Sequence, residues 1–126
     1  MIDPIWVDER VALALHDAAL IEAGGASGVR DADLLRSALD RPRNKYAYGE
    51  TDLAALAAAY AFGLAKNHAF IDGNKRTAFL VAAFFLAKNG ELLDPDEAHA
   101  VLVMEGLAAG TVSEAELTDW IRAALV

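Results

Sequence analysis

The sequence predicts an all-α fold, a compact six-helix bundle built around a central buried helical hairpin. Three observations carry this. Hydrophobic residues make up 56% of the 126 residues, with alanine, the strongest helix former, heavily used. Proline and glycine are sparse and fall between apolar periodic runs. Two runs, LAALAAAYAFGLA and TAFLVAAFFLA, are apolar almost all round and flank one short polar turn. Helices with that character are buried, and a short connection folds them back on each other. The length fits a single domain over residues 1–126 with one core.

The elements follow in order. Residues 8–23 set Val11, Leu13, Ala14, Leu15, Ala18, Ala19 and Ile21 against Arg10, Asp17 and Glu22, an amphipathic first helix that Gly24 and Gly25 end. GGASGVRD reads as a loop. Asp31 or Asp33 then caps a short second helix carrying Leu34, Leu35, Ala38 and Leu39. Pro42 is expected to stop it, because proline lacks the N–H and its ring clashes with the preceding turn. Residues 43–50, RNKYAYGE, are polar and too short for a helix, so a loop or small hairpin flap is expected there.

Thr51 is placed as cap of the third helix, with Asp52 in its first turn, where the dipole favours a carboxylate. The fourth helix closes at Asn89 and Gly90. A fifth is expected from Pro95, as its first residue, to Leu107 or Ala109, and a sixth opens on a capping box of Ser113 and Glu116. Neither apolar run reaches the roughly 18 residues needed to span a bilayer, so both are core helices and no membrane partner is expected.

Composition narrows the function classes. Without cysteine there is neither a disulfide framework nor a thiolate metal site. The opening MIDPIWVDER lacks the basic, apolar and small-residue succession of an export signal, so a cytoplasmic location is expected. A net charge of −8 speaks against direct nucleic-acid binding, which needs a basic face to displace counterions. Yet Lys66, His68, Lys75 and Arg76 gather positive charge in one stretch. The expected anion is therefore small and enclosed, such as a nucleotide.

That stretch centres on residues 68–76, HAFIDGNKR, placed just before the fourth helix. A turn feeding a helix N-terminus is an anion site, because the first-turn amides lack partners and the dipole favours negative charge. His68 can serve as a general base, or simply bond backbone at a helix end. Asp72 can help hold a magnesium ion beside phosphates, or cap the helix. Gly73 permits positive φ and close backbone approach, and Asn74 can cap or donate through its amide. Lys75 and Arg76 diverge by about 100° on a helix and would address different phosphate groups. Phe70 is expected to bury its ring, and Ile71 can line a pocket. His16 and His99 read as surface or core-edge residues, and no HExxH spacing suggests zinc.

These residues resemble the Fic/Doc superfamily signature HPFx(D/E)GN, a variable residue, then Arg. Only Ala69 departs, where proline is usual. With Lys75 in the variable position the chain resembles the death-on-curing (Doc) branch, and the similarity extends to LHDAALIEAGG, SALDRPR, the approach to the turn and FFLAKNG. The resemblance implies an ATP-binding helical fold in which His68 deprotonates a protein hydroxyl. Asp72 would help hold Mg²⁺, Gly73 and Asn74 would cradle phosphates, and Lys75 and Arg76 would bind phosphate oxygens.

Doc relatives resemble kinases that present the γ-phosphate, whereas Fic relatives with glycine at the Lys75 position transfer AMP. A lysine stem fills space that an α-phosphate would need. The implied target is a threonine of translation elongation factor Tu, and the implied neutraliser is a Phd-type antitoxin. Self-inhibiting relatives carry (S/T)xxxE(G/N); here Glu105-Gly106 is preceded by Val101 at the Ser/Thr position, so inhibition is expected from a separate chain. Residues 43–50 take the place of the target-binding flap, making Tyr46 and Tyr48 candidate target or nucleotide contacts. Fic-type AMP transfer and a non-catalytic interaction module stand as alternatives.

Overall fold

A computed structural model describes residues 2–126. Six helices follow one another: α1 (Glu9–Ala23), α2 (Ala32–Ala47), α3 (Leu53–Asn67), α4 (Asn74–Lys88), α5 (Glu97–Ala109) and α6 (Glu114–Ala123). Among the described residues there is no strand, only the isolated bridges Val29 to Phe70 and Leu93 to Leu125. Among them, too, no helix is long and apolar enough to cross a membrane.

α3 occupies the middle, packed against α2, α4, α5 and α6, while α1 lies against α4 and α2. Eleven of its residues are buried, so its apolar circumference is matched by neighbours on all sides. The core gathers Leu35, Leu56, Tyr60, Leu64, Phe70, Val81, Phe85, Leu86, Leu107 and Leu117. The chain leading to α1 is tied down where Tyr60 accepts the Val7 N–H at 2.8 Å and Asn89 bonds both backbone groups of Ile5. The linker between α4 and α5 is held by the C-terminus through Asp94 to Ala124 (3.0 Å) and Val126 to Leu92 (2.9 Å).

The main departure from the expected fold is α2. Pro42 does not end it: the helix runs on to Ala47, with Pro42 buried inside. Residues 43–47 are thus helical, and only the turn at residues 48–50 remains of the expected loop or flap. Long-range anchors on both sides of the proline offset its missing bond. Arg41 and Lys45 both pair with Glu114 of α6, Tyr46 packs edge-on to Trp6 at 5.5 Å, and Arg43 lies over the same Trp6 ring. Here α2 also approaches α3 closely, where an added Cβ at Gly63 would sit 3.1 Å from Ala38 Cα.

Two helix starts shift slightly. Asp52, not Thr51, is the N-cap of α3, accepting the Ala54 N–H at 3.0 Å. Asp96 caps α5 through the His99 N–H at 3.0 Å, leaving Pro95 outside the helix. In both places the carboxylate nearer the first turn competes better for the free amides. Asp31 caps α2, Asn89 and the positive-φ Gly90 close α4, and the Ser113–Glu116 capping box is present in both directions.

Candidate active site

The turn between α3 and α4 is held from several sides. His68 ends α3 in the left-handed region (φ 53, ψ 48) and is the one non-glycine with positive φ among the described residues. A residue with a Cβ resists that conformation, so surrounding contacts must hold it. Arg30 does so, donating from Nε to the His68 carbonyl at 2.8 Å and from its terminal nitrogen to the Asn67 carbonyl at 3.2 Å.

Residues 28–31 run alongside the turn like a short antiparallel partner. The Arg30 and Asp31 N–H groups donate to the Ala69 carbonyl, and the Ile71 N–H donates to Gly28. Phe70 is fully buried. Ile71 is half exposed and covers Gly28, away from the cleft.

Asn74, the first residue of α4, is buried and closes the turn internally. Its Oδ1 accepts the Phe70 N–H at 2.9 Å and its Nδ2 donates to the Phe70 carbonyl at 2.9 Å. Those two bonds fix the amide's orientation, so its second N–H donates to His68 Nδ1 at 3.3 Å. The lone pair of the neutral imidazole is therefore on Nδ1, with the proton on Nε2.

Asp72 is not the cap of α4. That position belongs to Gly73 (φ 77), and no side chain satisfies the first-turn amides. The Asp72 carboxylate instead receives the Ala26 N–H on Oδ2 at 3.1 Å, leaving Oδ1 outside that bond. Among the described residues no three His, Cys, Asp or Glu side chains cluster as a metal cage. One carboxylate nevertheless fits magnesium, which takes one or two protein carboxylates and completes its shell with phosphate oxygens and waters.

The turn opens into a cleft of about 620 Å³ between the start of α4 and α5. His68, Asp72, Gly73, Asn74, Lys75 and Arg76 form its polar part, and Phe79, Leu93, Pro95, Ala100, Val101 and Met104 its apolar part, with Glu97 and Glu105 also lining it. An uncapped helix N-terminus with two cations beside an apolar slot suits a ligand with an anionic tail and a flat apolar head. Lys75 is exposed. Arg76 is partly buried and paired with Glu22 of α1, while its Nε is buried without a partner.

Two candidate contacts lie elsewhere. The Tyr46 hydroxyl donates to Asp3 at 2.7 Å, which with the carboxylate's charge holds the phenol above its usual pKa. Tyr48 is 94% exposed and borders a separate cleft with Arg41, Asn44 and Phe62. With residues 43–47 helical, neither tyrosine lines the cleft of His68. The segment beside the motif is residues 24–31, read from sequence only as a loop.

Sequence reasoning also passed over Glu22, Arg30 and His16. His16 is buried, stacked on Phe70 and bonded to the turn, not a surface or core-edge residue. The signal was present: Ala12, His16 and Ala19 are the buried residues of α1, at helical spacing. Nothing local marked the α5 wall, which arrives from later in the chain. His99 is exposed against Trp120.

Comparison with known proteins agrees with this architecture. The family model described as Fic/DOC family matches residues 6–86. The chain is 37% identical over 112 residues to a protein named protein kinase doc of Escherichia phage P1, covering 87% of each chain. It is 45% identical over 82 residues to a protein named toxin Doc of Mycolicibacterium smegmatis, covering 63% of this chain and 62% of the relative. The chain belongs to the Fic/DOC family, and the relatives it matches are Doc proteins.

Proposed function

We propose that this protein is a Doc-type toxin kinase that moves the γ-phosphate of ATP to a protein hydroxyl. The expected target is a threonine of translation elongation factor Tu, so that translation stops in the cytoplasm, and the expected neutraliser is a Phd-type antitoxin. The observation that carries the proposal is the uncapped N-terminus of α4, opening with Lys75 into the cleft that His68 borders. The names of the relatives, one a kinase and one a toxin, support the same reading.

In this mechanism the nucleotide base enters the apolar slot beside Phe79 and Met104, and the phosphates face the first turn of α4. Asp72 would help hold a magnesium ion, which would neutralise phosphate charge and align the γ-phosphate. Lys75 fills the space that an α-phosphate placed for AMP transfer would need, and its ammonium takes a phosphate oxygen. Arg76 supplies a second cation.

The attacking hydroxyl displaces the Asn74 N–H from His68 Nδ1, and Asn74 keeps its two bonds to Phe70. The proton passes to Nδ1 as the new oxygen–phosphorus bond forms and the γ-phosphorus bond to the bridging oxygen breaks, releasing ADP. Positioning and charge neutralisation do most of this work.

The decisive experiment incubates the protein with elongation factor Tu, Mg²⁺ and ATP labelled at either the α or the γ position. Label retained on the factor from the γ position alone is expected. Retention from the α position alone overturns the kinase reading in favour of AMP transfer. Growth arrest on expression, relieved by His68→Ala in a folded variant, is the expected cellular counterpart; a harmless wild type that binds no ATP would leave an interaction module.

A further inference from the structure

Three parts of the turn meet on one buried side chain of α1. The His16 ring is 3% exposed and lies parallel to Phe70, with ring centroids 3.8 Å apart and planes 9° apart. Its Nε2 is 2.8 Å from the backbone carbonyl of Asp72. A carbonyl only accepts, so Nε2 carries the proton. An added Cβ at Gly73 would lie 3.6 Å from the same ring, so Gly73 rests on the imidazole.

We propose that His16 is a positioning residue for the nucleotide site, acting through the Asp72–Gly73 peptide. In a trans peptide the carbonyl and the following N–H point in opposite directions. Pinning the Asp72 carbonyl inward therefore turns the Gly73 N–H outward, on the side where Gly73 lines the cleft. It also fixes the stem of the Asp72 carboxylate. Glycine accepts either orientation of this peptide, because both signs of φ are open to it. The flexibility that lets Gly73 approach a phosphate would thus let the peptide flip. His16 removes that freedom, since a flip would leave a buried donor unpaired.

The inference rests on the kinase reading of the site for its consequence, but its geometry can be tested apart from it. Two variants separate the ring from the donor. His16→Phe keeps a ring to stack on Phe70 and loses the hydrogen bond; His16→Gln keeps an N–H donor and loses the ring. Amide hydrogen exchange at residues 72–75 reads the order of the turn. Calorimetry with Mn²⁺ and a non-hydrolysable ATP analogue reads the site without turnover.

His16→Phe is expected to speed exchange at residues 72–75 and weaken analogue binding, each about tenfold, while core amides of α3 stay protected. His16→Gln is expected to stay within about threefold of wild type on both readings. A purely structural residue would change global stability without this local pattern. A folded His16→Phe with wild-type exchange and affinity overturns the proposal, as does a folded His16→Gln that behaves no better.

Should His16→Phe fail to fold, the wild type decides. A slowly exchanging Nε2 proton with cross-peaks to residues 72 and 73 is expected, and its absence sinks the idea. If wild type binds no analogue, the kinase reading fails, while the exchange measurements still judge His16.

Discussion

His68 holds a conformation that its own side chain resists, and Arg30 and Asn74 keep it there. Glycine at this position would relieve roughly 1–2 kcal/mol of left-handed strain and lose one long hydrogen bond of about 0.5–1 kcal/mol. His68→Gly is therefore expected to unfold in urea no more easily than wild type, while losing transfer activity entirely. A loss of stability above about 1 kcal/mol would show that the imidazole holds the turn together. Arg76 presents a second conflict, because the guanidinium proposed above to meet phosphate is paired with Glu22. That pair is partly exposed and worth up to about 1 kcal/mol. Glu22→Gln should free the cation and tighten analogue binding by up to about fivefold in calorimetry. Weaker binding would mean that Glu22 orients Arg76 rather than competing for it.

Among the elements, α2 and α3 pack most demandingly where Ala38 faces Gly63. A methyl group at residue 63 would meet backbone and Cβ of Ala38 at 3.1–3.3 Å, and neither can swing aside as a flexible side chain would. Gly63→Ala is expected to cost about 1–3 kcal/mol in urea unfolding, despite alanine's higher helix propensity. A neutral or stabilising result would show that the two helices can part at little cost. The start of α6 makes a gentler case. Ser113→Ala removes one half of a reciprocal capping box and should lower stability by about 1 kcal/mol, read as a lower midpoint at unchanged denaturant slope.

Across the whole molecule, the partly buried Glu114 and the buried Tyr60 make stability depend on pH at the acid and alkaline ends. Burial alone would raise the Glu114 pKa, but the hydrogen bonds and charges of Arg41 and Lys45 outweigh it and hold the carboxyl below its usual 4.5. A depressed pKa contributes stability that is present above the unfolded value and lost as pH falls through the folded one. Glu114→Gln should therefore be less stable at neutral pH and lose less on acidification below 4.5; parallel acid limbs would contradict the assignment.

Tyr60 acts at the other limit, where burial pushes its phenol from 10.0 up to about 12. A raised pKa contributes stability that is full below the unfolded value and lost as pH rises through the folded one. Stability should thus fall between pH 10 and about 12 as the phenol ionises, with Tyr60→Phe showing a shallower decline. Ultraviolet absorbance of the phenolate, followed with the unfolding signal, checks it.

The amino-acid sequence by itself determined the helical class, the buried hairpin of α3 and α4, the stops at Gly24 and Asn89–Gly90, and the capping box at Ser113. Each of these signals acts within one or two turns of chain, through propensity, periodicity or a cap. The turn at residues 68–76 was legible for the same reason, as a compact set of polar groups before a helix. Tertiary structure alone decided the rest. Pro42 argued locally for a stop, yet contacts of Arg41, Lys45, Arg43 and Tyr46 with distant Glu114 and Trp6 carried α2 through it. That course took Tyr46 and Tyr48 away from the cleft and left residues 24–31 beside the motif. The α5 wall, the Glu22–Arg76 pair and the seat of His16 beneath Asp72 all join residues far apart in sequence. No local pattern encodes such partners, because the energy that fixes them appears only when the bundle closes.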